Sequence, residues 1–210
     1  MPDGIEAQLR CDFQRATEEQ MQIAIVYDSQ MGHTAKQAQS VAEGVGLVPG
    51  AEARLLPVTD GIPWDYLETC DAIIFGSPTF NGSLSARLNQ FMEDSSKPAY
   101  VTKAWRNKIA AGFANSGAPS GDKLSTLISM ALFAAQHAMI WVGVDQFASL
   151  SREEDNYLGG WLGAMAQSNY LEPPEISPGA PDLRTAVNLG KRVAEIAKSF
   201  QAGRAALQPA

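Results

Sequence analysis

Residues 23–34 decide the fold of this chain and read Ile-Ala-Ile-Val-Tyr-Asp-Ser-Gln-Met-Gly-His-Thr. An apolar run is followed there by small polar residues, and Ala and Val then recur at helical spacing from Ala35 to Val45. This pattern predicts a strand, a loop and a helix. Because the first backbone N–H groups of a helix lack helical partners, the loop is suited to bind an anion.

The predicted loop, residues 28–34 (loop one), carries the donors that a terminal monophosphate needs. Ser29 and Thr34 supply hydroxyl groups, and Gly32 lets the backbone approach a ligand closely. The loop has no Lys or Arg before Lys36. It has neither the Gly-Lys-Ser/Thr ending of a nucleoside triphosphate loop nor the spaced glycines of a dinucleotide fingerprint. The sequence therefore predicts a phosphate held by uncharged donors.

Further apolar runs alternate with helical patterns along the chain. The predicted strands after the first are residues 53–58, 71–76, 108–114 and 139–144. Alternating strands and helices of this kind predict an α/β protein with a three-layer, doubly wound sheet of five parallel strands. Residues 1–20 are predicted to be an N-terminal extension, residues 21–202 a single domain and residues 203–210 a tail. A polar, Gly- and Pro-rich segment at about 145–180 is predicted to be inserted, because connections of that length usually serve function or assembly.

Composition excludes several functional classes. A chain of 210 residues that is 45% hydrophobic can bury a substantial core. A net charge of −7 argues against general binding to nucleic acid. No apolar run approaches the roughly 20 residues that span a bilayer, and the N-terminus lacks the apolar centre of a secretory signal, so a cytoplasmic protein is expected. Cys11 and Cys70 lack the spacing of a zinc or iron–sulfur site, and no metal is expected.

Two later loops resemble the first in composition, residues 77–83 (loop two) and residues 115–121 (loop three). Loop one and the stretch Gly-Ser-Pro-Thr at 76–79 resemble the loops of flavodoxin-like proteins, in particular the WrbA-type quinone oxidoreductases and NADPH-dependent FMN reductases. The resemblance covers about residues 22–144. It implies strand order 2-1-3-4-5, in which loops one and two meet at one edge of the sheet. At residues 80–81, Phe-Asn departs from the Arg-Phe or Tyr-Phe usual in WrbA-type proteins.

The resemblance implies bound FMN, with NAD(P)H as electron donor and a quinone as acceptor. The resemblance assigns residues of all three loops to the FMN site. The phosphate would be surrounded by Ser29, Gln30, Met31, Gly32, His33 and Thr34. The ring would lie beside Pro78, Thr79, Phe80 and Asn81, with its polar edge along Asn115, Ser116, Gly117, Ala118, Pro119 and Ser120. Two electrons would pass by hydride transfer through flavin N5 in a ping-pong sequence, with no catalytic side chain. The alternatives are a flavodoxin-type single-electron carrier and a flavin-free interaction protein.

Substrate contacts are expected from residues outside the three loops. Tyr100 occupies the position of a family aromatic beside the substrate, or is a surface residue. Gln136 corresponds to the family's flavin-contacting His, so His137 is a displaced equivalent or a helix-end residue. For His33 the alternatives are a side-chain contact to phosphate and a backbone N–H alone.

The sequence also leads to expectations about the oligomeric state and about a cluster of basic residues. The resemblance implies a homodimer or homotetramer, with the apolar stretch 157–165 as an interface and Trp161 as a contact residue. A basic cluster next to Tyr100 could attract nicotinamide phosphates or could simply be solvated. Its members are Lys97, Lys103, Arg106 and Lys108.

Overall fold

The computed structural model describes residues 20–207, without the side chain of Ala205. Residues 1–19 of the predicted N-terminal extension, with Cys11, and residues 208–210 of the predicted tail lie outside this range. The other cysteine, Cys70, is a buried free thiol. The final helix continues to Ala206, so the tail predicted from residue 203 begins as helix.

Strands and helices alternate as predicted. The strands are β1 (Met21–Tyr27), β2 (Ala51–Pro57), β3 (Ala72–Phe80), β4 (Ser83–Leu84), β5 (Ile109–Ser116), β6 (Ile140–Trp141) and β7 (Ala164–Gln167). The α-helices are α1 (His33–Gly46), α2 (Trp64–Thr69), α3 (Ala86–Asp94), α4 (Lys123–Gln136) and α5 (Ala180–Ala206). A short 3₁₀ helix spans Val58–Asp60 and a π-helix spans Ser96–Val101.

The sheet has the order β2-β1-β3-β5-β6, with these strands parallel, and this confirms the flavodoxin-like arrangement. The strands β4 and β7 lie off this main order. Without them, β5 is the predicted fourth strand and β6 the fifth, which gives the expected order 2-1-3-4-5. The hairpin strand β4 pairs antiparallel with the end of β3.

The fifth position of the sheet differs from the prediction for residues 139–144, because two short strands share it. Strand β6 pairs with Ile109–Ala110 and β7 pairs with residues 113–116 of the same neighbour, β5. Between them the chain leaves the sheet at Gly143, whose carbonyl accepts a hydrogen bond from Arg192 of α5. The insertion therefore interrupts the fifth strand instead of following it, and β7 was not predicted.

Two predicted loops also begin later than expected. Residues 77–80 were assigned to loop two, but β3 continues through them because Pro78 pairs with Asn115 and Thr79 pairs with Leu84. Likewise β5 continues to Ser116. The predicted ligand contacts in these loops are thus partly strand ends, which hold their backbone more rigidly than a free loop would.

Side chains of the sheet alternate between two apolar clusters. On one face Ile23 and Ile25 pack with α1 and α5, and on the other Ala24 and Val26 pack with α2, α3 and α4. This period-two alternation in a strand covered on both faces produces the three layers. Within residues 20–207, no helix combines the length and apolar character needed to cross a membrane.

Candidate functional site

A cleft of about 340 Å³ lies where β1, β3, β5 and β7 end. The residues that line it are Ser29, Gln30, Met31, His33, Thr34, Pro78, Thr79, Phe80, Asn115, Ser116, Gly117, Ser168 and Tyr170. The fold thus brings together most of the residues predicted from the three loops. Predicted residues that do not line the cleft are Gly32, Asn81, Ala118, Pro119 and Ser120. Ser168 and Tyr170 were missed because they lie in the polar segment after β7, which has no periodic pattern.

Loop one forms the floor of one end of the cleft. Gly32 adopts φ +86° immediately before α1, a conformation that a residue with a side chain rarely adopts. The Ser29 hydroxyl accepts a hydrogen bond of 3.0 Å from the N–H of Ala35, and Thr34 is buried. Ser29 and Thr34 thus line the cleft at the N-terminus of α1, a position that favours an anion.

Residues 168–178, the strap, follow β7 and cross loop one. Nδ1 of His33 lies 2.7 Å from the carbonyl oxygen of Ser177, so this nitrogen donates to the strap. The Ser177 hydroxyl accepts from the N–H of Asn169 at 2.8 Å. At Gly32 there is no room for a Cβ atom, which would lie 2.9 Å from Cγ of Pro174. The side chain of His33 is thus bound to protein, which agrees with the alternative in which only its backbone serves a ligand.

The end of β3 forms the second wall. The Thr79 hydroxyl lies 2.9 Å from the Thr126 hydroxyl of α4, so it is engaged with protein. Asn81 has φ +50° in the turn to β4 and lies outside the cleft. Phe80 is partly exposed at the rim. This wall offers a ligand apolar surface and backbone.

The third wall, formed by the end of β5 and the residues that follow β7, contains polar atoms without partners. Among the described residues, Nδ2 of Asn115 and the hydroxyl of Ser168 are buried and have no hydrogen-bond partner. Both residues line the cleft. An unsatisfied buried polar group costs about 1–3 kcal/mol, so these atoms favour a ligand with complementary polar groups.

Loop three is bound on its side away from the cleft by Lys123, which local sequence does not distinguish from an ordinary charged residue at the start of a helix. Its ammonium donates to the Ser116 hydroxyl at 3.0 Å and to the carbonyls of Ala118 and Pro119, each at 2.9 Å. The carbonyls of Ala118 and Pro119, predicted to lie beside the cofactor, therefore face this lysine. Burial lowers the pKa of Lys123 to about 8 and raises the pKa of Asp182, whose carboxylate accepts from the N–H of Gln167, to about 6.

Comparison with known proteins identifies the family. The family model for NADPH-dependent FMN reductases matches residues 65–152. Flavodoxin FldP of Pseudomonas aeruginosa (strain UCBPP-PA14) is 35% identical over 187 residues, which cover 85% of this chain and 97% of that protein. The chain belongs to the flavodoxin-like WrbA and FMN-reductase family.

Two further members of the flavodoxin-like WrbA and FMN-reductase family agree with this assignment. An NAD(P)H dehydrogenase (quinone) of Archaeoglobus fulgidus is 31% identical over 202 residues, 85% of this chain and 98% of that protein. The crystal structure of a WrbA-like flavodoxin from Agrobacterium tumefaciens has a TM-score of 0.67 and 35% identity, and the match covers 85% of this chain and 98% of that one.

In this family member the predicted substrate residues lie away from the cleft. Tyr100, Gln136 and His137 line a separate cavity of about 470 Å³ between α3, the π-helix and the end of α4. Helix α4 has 14 residues, so its end is roughly 20 Å from Lys123 at its start. None of these three residues lines the cleft, and their substrate role stays a prediction.

His137 is bound within the protein. Its Nε2 lies 3.1 Å from the Ser95 hydroxyl, and its ring centroid lies 4.6 Å from those of Trp105 and Phe133. Burial lowers the pKa of His137 to about 4. Of the predicted basic cluster, Lys108 donates to the Glu68 carbonyl and is structural, whereas Lys103 and Arg106 line a cavity that also includes Tyr100.

Proposed function

We propose that this chain is an FMN-dependent NAD(P)H oxidoreductase that reduces quinones by two electrons. The observation that carries the proposal is the cleft at the carboxyl edge of the sheet. It combines a helix N-terminus with uncharged donors, apolar side chains at the rim, and buried polar atoms without partners. Membership of the family supports it, since relatives carry the names NAD(P)H dehydrogenase (quinone) and flavodoxin.

The residues of the cleft fit FMN part by part. Loop one would hold the phosphate with the Ser29 and Thr34 hydroxyls and the first N–H groups of α1. Exposed side chains of Met31, Phe80 and Tyr170 would contact the apolar faces of the ring, Tyr170 being 63% exposed. Nδ2 of Asn115 and the Ser168 hydroxyl would meet polar atoms of the ring, which would satisfy both.

FMN held in the cleft would supply the two-electron chemistry between NAD(P)H and a quinone. The nucleotide and the quinone would occupy the same space in turn, in a ping-pong sequence. The protein holds the phosphate, orients the ring and excludes water from one side of it. The Nδ1–H of His33 donates a hydrogen bond to the Ser177 carbonyl of the strap, so His33 is not assigned a proton transfer. Catalysis would rest on position and electrostatics.

Assembly as a homodimer or homotetramer remains part of the proposal. Of the stretch 157–165, Ala164 and Met165 are buried in β7, whereas Trp161 is 55% exposed next to Phe147. Helix α4 also exposes a row of apolar side chains at Leu124, Ile128 and Leu132. Sedimentation at micromolar concentration measures the assembly, and a monomer would contradict this part. A cytoplasmic location stays a prediction.

The test is an anaerobic titration of the protein saturated with FMN. Addition of NADPH or NADH should bleach the visible absorbance of the flavin, and a quinone should restore it. Retention of the flavin colour with both nucleotides would overturn the proposal. FMN binding is measured first by isothermal titration, so that an absence of binding is distinguished from an absence of reduction.

A second candidate, a flavodoxin-type electron carrier, is favoured by the 35% identity to Flavodoxin FldP. A carrier binds FMN but does not itself oxidise NAD(P)H, and it accepts electrons from a separate reductase. If the FMN-loaded protein is reduced by a flavodoxin reductase with NADPH but not by NADPH alone, the carrier function replaces the oxidoreductase.

A further inference from the structure

Lys123 is a buried cation in the wall of the cleft. It is the first residue of α4 and has 0% of its surface exposed. Its ammonium makes the three hydrogen bonds to Ser116, Ala118 and Pro119 described above. Since Ser116 lines the cleft, the positive charge lies one residue behind the cleft surface.

Packing alone does not account for a lysine at this position. A buried ammonium loses its hydration, and a methionine of similar length would fill the space without that cost. Among the ion pairs of the described residues none includes Lys123. Two carboxylates, Asp182 and Asp122, influence it from beyond ion-pair distance. The charge is therefore not neutralised by direct contact.

Asp182 provides an opposite charge behind the same wall. It is buried, and it contacts the N–H of Gln167, which does not line the cleft but precedes Ser168, which does. At pH 7 the lysine is protonated and the aspartate ionised, because their pKa values lie near 8 and 6. The lysine contacts Ser116, a residue that lines the cleft, whereas Asp182 contacts Gln167, which does not, so the lysine has the stronger influence on the cleft.

We propose that Lys123 is a positioning residue that holds loop three and favours the reduced form of the bound flavin over the oxidised form. The inference rests on the proposed function, since it requires FMN in the cleft. Oxidised FMN takes up two electrons and one proton to give the reduced anion FMNH⁻, which is one charge more negative. A nearby buried cation stabilises the more negative form. Because Lys123 is shielded from water, its electrostatic attraction for the reduced flavin is only weakly screened.

The test compares the affinities of oxidised and reduced FMN in matched variants at pH 7. Lys123→Met removes the charge, Lys123→Arg keeps it, and Asp182→Asn removes the opposite charge while retaining an acceptor for Gln167. Oxidised FMN is titrated by fluorescence, and the midpoint potential of each FMN complex is measured with electrons supplied by an electrode. Neither measurement depends on turnover of the enzyme.

Lys123→Met should weaken binding of reduced FMN relative to oxidised FMN about tenfold, which lowers a two-electron midpoint potential by about 30 mV. Lys123→Arg should stay within about threefold of the parent, and Asp182→Asn should shift the ratio in the opposite direction. If Lys123 only held the structure, Lys123→Met would weaken binding of oxidised and reduced FMN equally and leave the midpoint potential unchanged. That result would overturn the inference.

Folding and function are controlled separately. If Lys123→Met does not fold, Lys123→Gln supplies a neutral donor to loop three, and the same loss of potential is expected from it. A parent protein that binds no FMN would overturn the proposed function and this inference together. A parent that binds FMN, with the same potential in the Met, Gln and Arg variants, would overturn the inference alone.

Discussion

Nδ1 of His33 lies 2.7 Å from the carbonyl oxygen of Ser177, a contact between residues 144 positions apart in the chain. It ties the start of α1, where the phosphate is expected, to the strap, which carries Tyr170. One hydrogen bond thus links two walls of the cleft. The cleft is therefore built by the return of the chain after β7, as well as by the three loops.

Replacement of His33 tests this link. His33→Leu should lower the free energy of unfolding by about 1–3 kcal/mol, because the Ser177 carbonyl is left buried without its donor. His33→Asn places an amide donor near the position of Nδ1 and should retain most of the stability. Urea unfolding of both variants measures the difference, and equal stability of the two would contradict a role for the hydrogen bond.

Ser29→Ala with Thr34→Ala should weaken FMN binding about 100-fold. Each hydroxyl that binds a charged phosphate contributes about 1.5–3 kcal/mol, of which part is replaced by the remaining N–H groups. Riboflavin, which lacks the phosphate, is the matched ligand control, and its affinity should change little. An equal loss for both ligands would show that the substitutions damage the whole cleft and not a phosphate site.

Tyr170 should contact the flavin ring through its aromatic face. Tyr170→Leu is expected to weaken FMN binding about 2- to 10-fold, the effect of losing one aromatic contact, whereas Tyr170→Phe should bind as the parent does. Quenching of flavin fluorescence during titration measures both. Equal affinity of the Leu and Phe variants would place the ring elsewhere in the cleft.

Gly190 permits the close contact of α5 with α1. A Cβ atom at this position would lie 2.0 Å from the carbonyl oxygen of Val41, so Gly190→Ala should destabilise the protein by about 1–3 kcal/mol or more. Gly46→Ala is the control, since a Cβ there meets nothing within 4 Å and alanine favours a helix by up to about 1 kcal/mol. Thermal unfolding should shift in opposite directions for the two, and a shared direction would refute the packing argument.

His137 should make the protein sensitive to acid. Its pKa is about 4 in the folded state, below the ordinary value of 6.5, so the unfolded state binds more protons between these values. Stability from this group is complete above pH 6.5 and is lost as pH falls toward 4, by roughly 2 kcal/mol between pH 7 and pH 5.

His137→Phe fits among the neighbouring aromatic rings and should remove that loss. The Ser95 hydroxyl keeps its bond to the Met92 carbonyl in this variant. The comparison is made as a difference from the parent at each pH, because Asp182, with its raised pKa, contributes in the opposite direction in both proteins. Urea unfolding curves whose separation does not change with pH would contradict the prediction.

The sequence by itself determined the order of strands and helices and the position of loop one. In β1 and α1 the apolar spacing is local, and a strand buried on both faces reads as a continuous apolar run at whatever position it pairs. The resemblance of loop one and of residues 76–79 was enough to indicate the family, and most residues assigned from the three loops line one cleft. The end of the fifth strand at Trp141 could not be read, because its neighbours in sequence are equally apolar.

Only the tertiary structure decided how β7, the strap and Lys123 complete the cleft. Strand β7 pairs with residues of β5 that lie about 50 positions earlier, and its four residues carry no pattern of their own. Lys123 reads as an ordinary charged residue at the start of a helix until the fold encloses it behind Ser116. Tyr100 and His137 were assigned to the substrate, but the fold places them in a cavity other than the cleft. Such properties depend on which distant surfaces are brought together, and that is a consequence of packing that local spacing does not encode.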